Sequence, residues 1–314
     1  MAEIKTDWFF IVNPRAGSGK TMSQWVPAER RLEKSGIGFV TAYTDHKRHA
    51  TSLAYDAAEE GYRKIVAVGG DGSVHEAFNG IMKWCDESGT DPKEFCLGVA
   101  PIGSGNDWIK SLKVPHDMNK VIDLIIKESC GEIDVVKLRT EGNRESYMAN
   151  IGGVGFDSNV CKRVNLQKEG GKRGKRIYLN ALIHTICSLK AINISVVADG
   201  KEMFSGKCYS VALGNGCYSG SGMRQVPLAI MDDGLLDVTV VPKIPVLKIV
   251  RELPRLFNGS ICESKSLVCF KCRTLEILPL DSESAEIVEV DGEIEGRLPL
   301  SIEMGKRRIR VIKP

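Results

Sequence analysis

The sequence predicts two domains of different class: an α/β domain on a parallel sheet over residues 1–135, then an all-β, sandwich-like domain over 136–304. Three observations predict this. In the first part, apolar runs alternate with helical patterns, and such alternation builds a parallel sheet with helices on both faces. After residue 136 strand-like runs follow one another between turn residues, as in a sandwich or barrel. The chain, at 314 residues, is also long enough for two cores.

In order, strand-like runs fall at 8–12, 38–43, 65–68, 97–100 and 133–138. Between them, 51–60 is alanine-rich, and Val74, Ala77, Phe78, Ile81 and Met82 repeat at i, i+3, i+4, i+7 and i+8, the spacing of one helix face. Residues 121–126 suggest another helix. The second part offers strands at 146–151, 192–198, 209–213, 236–241, 267–270, 275–278 and 285–290, with an Asp199-Gly200 hairpin signal and helices at 177–189 and 245–257. A last strand, within 305–314, is a candidate to return to the first domain.

Composition narrows the class. A hydrophobic fraction of 43% with 26% charged residues is that of an ordinary globular protein. A net charge of +3 tolerates an anionic nucleotide or membrane surface and does not call for nucleic acid. The apolar run at 8–12 is too short for the core of a signal peptide, and no run approaches the roughly 18 apolar residues of a membrane helix. Ten cysteines are spread along the chain, and the one close pair, Cys269 and Cys272, would face opposite sides of a strand. Reduced thiols in a cytoplasmic protein fit this better than a metal site.

Three glycine-bearing loops each follow a predicted parallel strand. The first, VNPRAGSGKT at 12–21, ends like a Walker A loop but puts Pro14 where the first glycine belongs. Proline has no N–H and a fixed φ, so it cannot form the phosphate-cradling turn. The second, Gly69-Gly70-Asp71-Gly72, leads into a helix whose Ser73 and Glu76 read as a capping box. Its glycines let backbone approach a phosphate, and Asp71 among them implies a bridging Mg²⁺. The plain alternative is a tight turn with Asp71 as a local cap. The third loop, 101–107, carries Gly103-Ser104-Gly105-Asn106-Asp107. Loops at the carboxyl ends of one parallel sheet share a crevice, so together they describe a nucleotide site.

These motifs carry a resemblance. V-N-P-x-x-G-x-G-K, G-G-D-G-S-x-x-E-x-x-N-G and P-x-G-S-G-N-D are similar to the diacylglycerol-kinase catalytic-domain family, which includes bacterial lipid kinases, sphingosine kinases and ceramide kinase. Further along, Asn150–Asp157, Gly214-Asn215, Asp233–Asp237 and Val290-Asp291-Gly292-Glu293 resemble later blocks of the same family. The match spans nearly the whole chain. Departures are small: Ser73 and Ser104 where Thr is usual, His75 where Asn is common, and Trp108 where many members have Phe.

The resemblance implies an NAD kinase-like α/β domain, with ATP and Mg²⁺ as cofactors and a lipid hydroxyl as acceptor, in a cleft between the domains. Asn13, Pro14, Arg15, Ala16, Gly17, Thr44, Gly70, Asp71, Gly72, Ser73, Val74, His75, Glu76 and Ser104 would hold the nucleotide. Glu293 would accept the proton with Asp291 beside it; an extended segment would turn both carboxylates to one side. Without the resemblance, Asp291-Gly292 reads as a plain hairpin turn. Asp71 would belong to the catalytic magnesium network, joined by Asp134; Asp233, with the carbonyls of Ile230 and Leu235, would hold a second, structural Mg²⁺.

Residues 162–176 hold seven basic residues and one acid, either a loop drawn to anionic headgroups or a solvated loop. The expected location is cytoplasmic and peripheral to a membrane, and a homodimer stays open. Two other readings compete: an NAD kinase, which shares the G-G-D-G turn and the two-domain plan, and a lipid- or nucleotide-binding protein that has lost catalysis.

Overall fold

The computed structural model describes residues 3–103, 105–155, 190–220, 222–284 and 286–314. The chain forms two compact units, 1–135 with 306–314, and 136–305. The predicted helix at 177–189 and the basic loop at 162–176 lie outside the described residues.

The first unit is the predicted α/β domain. Its sheet runs β2 (Phe39–Tyr43), β1 (Lys5–Val12), β3 (Tyr62–Gly69), β4 (Cys96–Pro101) and the end of β15 (Leu300–Ile312), all parallel, with Phe10 opposite both Thr41 and Val66 and Val311 opposite Leu97. Strands in such a sheet are covered on both faces, which explains the unbroken apolar runs: Phe10, Ile11, Val12, Ile65, Val66, Val68 and Leu97 are all buried. The short α1 (Ala16–Gly19) is a turn in substance, since Gly17 and Ser18 are left-handed. It leads into α2 (Thr21–Ser35), whose Trp25 packs on Phe10 with ring centroids 5.1 Å apart.

Helix α3 (His49–Glu59) explains its own alanines. Ala50, Ala54, Ala57 and Ala58 are buried, and this small-residue face lies on α4 (Asp71–Ser88) at Gly80. A Cβ on Gly80 would stand 2.3 Å from the Thr51 carbonyl and 2.9 Å from Ala54 Cβ, so only glycine permits the approach. The predicted face Val74, Ala77, Phe78, Ile81 and Met82 is buried throughout. Two short helices, α5 (Asp107–Leu112) and α6 (Met118–Ile126), complete the unit before β5 (Cys130–Thr140).

The second unit is β-rich and antiparallel. Its strands run β14 (Glu293–Arg297), β13 (Ile287–Val290), β7 (Ile151–Gly155), β9 (Lys201–Gly214), β8 (Ile192–Ala198), β12 (Thr274–Pro279) and the start of β15. Long β9 pairs with β8 through its first half, while its second half lies between β7 and β10 (Leu236–Pro242); β10 in turn pairs with β11 (Val268–Cys272). The inward residues form one core that includes Val154, Ile194, Val196, Val211, Leu213 and Val238. The run predicted as a single strand at 146–151 is two: β6 (Arg144–Met148), a hairpin partner of β5, and β7, with a break at Ala149-Asn150. Helix α7 (Val246–Asn258) lies across β9 and β10. Cys269 Sγ lies 3.6 Å from Thr239 Oγ1 whereas Cys272 is buried near the Leu236 carbonyl, so the pair diverges as strand alternation requires. Among the described residues, no helix is long and apolar enough to cross a membrane.

Candidate active site

The three glycine loops of the first unit leave the carboxyl ends of β1, β3 and β4 and meet. Asn13 extends the β1 pairing, donating its N–H to the Val68 carbonyl at 3.0 Å, and its side chain donates to Ser73 Oγ at 3.4 Å. Asn13 Oδ1 accepts the Arg15 N–H at 3.0 Å, which turns the chain through Pro14 and Ala16 toward Gly17. Gly17 adopts φ 54 and lies against the third loop, where a Cβ would fall 2.6 Å from Ile102 Cγ2. Ile102 donates to the Gly69 carbonyl at 2.8 Å, and Gly70 faces Asn106. Thr44 sits beside the first loop through its N–H to the Val12 carbonyl, 2.9 Å. Backbone thus lines the junction, next to the N-terminus of the 18-residue α4, where the helix dipole favours an anion.

Two acids of α4 are committed to neighbouring helices. Asp71 accepts the N–H of Asp107 on Oδ2 and that of Trp108 on Oδ1, each at 3.0 Å, so it caps α5. The predicted Ser73–Glu76 capping box does not form. Gly70 is the N-cap residue, and Glu76 accepts the N–H groups of Arg48 at 3.0 Å and Ala50 at 3.2 Å, capping α3. The S-x-x-E spacing holds in sequence, but α4 begins at Asp71, and that puts Ser73 inside the first turn. Val74 and His75 turn into the core, and Asn79 donates to the His75 carbonyl at 2.9 Å. Asp134, 2% exposed, accepts Arg308 Nε at 2.8 Å; its carboxylate already faces a guanidinium. Ser104 lies outside the described residues. Asn106 joins the site without having been singled out: it is buried, left-handed at φ 48, and bonds the Gly103 carbonyl. The only signal for it was its place in the third glycine motif.

In the second unit, Asp291 and Gly292 are both left-handed, at φ 52 and 91, and join β13 to β14 by a two-residue turn with Val290 opposite Glu293. The segment is therefore a turn and not the extended stretch expected. Asp291 turns inward, where Oδ1 accepts the N–H groups of Asn150 (2.9 Å) and Ile151 (3.1 Å) and Oδ2 that of Ala149 (2.9 Å). This clamp holds the break between β6 and β7. The Asn150 carbonyl accepts in turn from the N–H groups of Asn215 and Gly216, and its side chain donates to the Tyr218 carbonyl at 2.8 Å. Three motifs far apart in sequence thus form one knot, with Glu293 half-buried at its edge.

In the acidic segment before β10, Asp233, the carboxylate expected to hold a second metal, is paired with a lysine. Lys271 Nζ lies 2.8 Å from Asp233 Oδ2 and 3.2 Å from Asp237 Oδ2, and Asp233 Oδ1 accepts the Leu235 N–H at 3.0 Å. Burial lowers the Lys271 pKa, but the bond to Asp233 and the charge of Asp237 outweigh it and the net shift is upward. For buried Asp237, burial dominates and pushes its carboxyl up despite the ammonium. Lys271 stands opposite Asp237 in the β10–β11 ladder, so the sheet itself delivers the cation. EDTA is accordingly expected to leave the thermal midpoint of the protein unchanged. Lys271→Met should lower stability by about 2 kcal/mol by stranding Asp237. A midpoint that drops with EDTA in the parent protein would point to a bound cation instead.

Beneath α7 lies a largely apolar pocket, partly open to solvent. Its walls include Tyr209 and Ala212 of β9, Val241 of β10, and Ile249, Leu253 and Leu256 of α7.

Comparison with known proteins finds two matches in order along the chain. Residues 7–138 match the diacylglycerol kinase catalytic domain, and residues 151–313 match the YegS C-terminal NAD kinase beta sandwich-like domain. A diacylglycerol kinase of Mycobacterium tuberculosis is 26% identical over 306 residues, covering 97% of this chain and 94% of that one. One of Staphylococcus aureus is 27% identical over 304 residues, covering 97% and 91%. The crystal structure of a diacylglycerol kinase from Bacillus anthracis shares the fold, with a TM-score of 0.70 at 22% identity over 98% of this chain and 97% of that one. With both domain types matched in order along the chain, the protein belongs to the diacylglycerol kinase catalytic-domain family of lipid kinases.

Proposed function

We propose that the protein transfers the γ-phosphoryl group of ATP to the hydroxyl of a lipid, working at a membrane surface from the cytoplasm. The observation that carries this reading is the meeting of three glycine loops at the N-terminus of α4. Phosphoryl transfer asks the protein chiefly for positioning and charge neutralisation, and a backbone-lined anion site supplies the first. Mg²⁺ would supply the second by neutralising the phosphates, with the remaining lone pairs of Asp71 as hard oxygen donors. Glu293 would take the hydroxyl proton as the acceptor oxygen bonds to the γ-phosphorus and the bond to the ADP oxygen breaks. The apolar lining of the pocket beneath α7 suits contact with part of an acyl chain.

Labelled γ-phosphate, Mg²⁺ and a total lipid extract, resolved by thin-layer chromatography, test the reading directly. A labelled lipid is the expected product; label in NAD alone, or in nothing, sinks it. Gly70→Ala gives a narrower test. A Cβ there meets Asn106 Oδ1 at 3.5 Å and the Ile102 carbonyl at 3.8 Å, ordinary contacts at a φ of −104. The variant should keep its unfolding midpoint and lose about tenfold in ATP affinity, because the methyl stands where phosphate approaches backbone. Unchanged ATP affinity, measured by calorimetry, removes this loop from the nucleotide site.

A further inference from the structure

Helix α7 carries three stripes. Ile249, Leu253 and Leu256 (i, i+4, i+7) face the pocket. Lys248, Arg251 and Arg255 (i, i+3, i+7) form a basic stripe. Between the two, Val246, Val250 and Phe257 (i, i+4, i+11) form a line with Leu247 beside it, and this apolar stripe is exposed: 48% for Val246, 68% for Leu247, 47% for Val250 and 58% for Phe257. Packing over the pocket uses only half of the apolar arc. Single exposed apolar residues need no explanation, but four on one helix make a patch, and patches mark docking surfaces.

The charge beside the patch selects the partner. Arg255 is engaged by Glu252 and Glu263, whereas Lys243, Lys248 and Arg251 form no ion pair among the described residues. An exposed apolar stripe bordered by uncommitted cations is the pattern of a helix lying in the plane of an anionic bilayer, with its aliphatic side chains among the acyl chains and its cations at the headgroups. We infer that α7 is a membrane-docking helix that seats the second unit on an anionic lipid surface through Val246, Leu247, Val250 and Phe257, with Lys248 and Arg251 at headgroup level. The pocket-facing stripe of the same helix would then lie at the edge of the bilayer. The inference deepens the lipid-kinase reading without needing catalysis.

Sedimentation with vesicles, without ATP, tests it apart from phosphoryl transfer. The protein is expected to bind vesicles of mixed phosphatidylglycerol and phosphatidylcholine more tightly than phosphatidylcholine alone, and less so as salt rises. Leu247→Glu with Val250→Glu should weaken binding at least about tenfold, and Lys248→Glu with Arg251→Glu should erase the preference for phosphatidylglycerol. As all of these residues are exposed, the variants should keep the parent unfolding midpoint. Leu247→Trp supplies a positive signal: Trp8, Trp25, Trp84 and Trp108 are all buried, so quenching by brominated lipid should report the introduced indole. The inference is overturned by failure of the parent protein to sediment, by undiminished binding of the double Glu variant, or by an unquenched indole. A parent dimer that the double Glu variant splits would equally overturn it, since a second copy would then cover the stripe.

Discussion

Replacing Glu293 by glutamine is expected to lower kcat by about 10²–10⁴-fold, the range for removing a general base, while ATP affinity stays within about twofold. Glu293 is the first residue of β14, directly after the two-residue turn and opposite Val290. That position gives its carboxylate a rigid support: the turn is held from inside by Asp291, and β13 is paired with β7 on its other side. Glutamine keeps the shape and the hydrogen-bonding oxygen but cannot take up a proton. The assay is phosphoryl transfer at saturating ATP, with nucleotide binding followed by calorimetry. Full turnover in this variant would remove Glu293 from the chemistry. A parallel loss of ATP binding would mean that it holds nucleotide.

Asp291→Ala should act on stability first, by about 3–5 kcal/mol. Three backbone N–H groups, those of Ala149, Asn150 and Ile151, converge on its carboxylate in a region where Asp291 is 8% exposed. Bonds to a charged acceptor contribute more than neutral ones, and each donor left buried without a partner costs about 1–3 kcal/mol. Alanine also adapts less well than aspartate to the left-handed φ of 52. Urea unfolding measures this as a lower midpoint. Asp291→Asn, which keeps one oxygen and tolerates the left-handed backbone, should lose less. If Asp291→Ala instead unfolds like the parent protein and only turnover falls, Asp291 works beside Glu293 in catalysis, as adjacency in sequence suggests, and the clamp is incidental.

These two residues show how far sequence alone reaches. The D-G pair was legible as a hairpin turn and the family resemblance marked Glu293, yet the assumption of an extended segment pointed both carboxylates the same way. A left-handed pair makes the segment a turn, so that inference does not hold, and only the partner strand reveals where Asp291 goes. Glu76 repeats the lesson: a capping-box spacing was present, but the acid serves α3, 26 and 28 residues earlier in the chain. Likewise, Asp233 and Asp134 were legible as carboxylates suited to a metal, whereas Lys271 and Arg308, the cations that meet them, come from strands far away in sequence. The carboxylate that clamps the break at Ala149-Asn150 is that of Asp291, 140 or more residues away, so the strand pattern around the break does not reveal its partner.

What the sequence determined by itself was whatever depends on periodicity and on local backbone chemistry: the α/β class of the first unit, the β-rich second unit, the buried face of α4 and the three glycine loops. Period and glycine placement act over a few residues, so they can be read along the chain. Tertiary structure alone decided which partner each carboxylate meets, that β9 serves two sets of neighbours, and that α7 keeps an apolar stripe in solvent. An acid satisfies its charge with whatever donors the fold brings within about 3 Å, and a helix buries only as much apolar surface as its neighbours cover. Neither quantity is written in the spacing of residues.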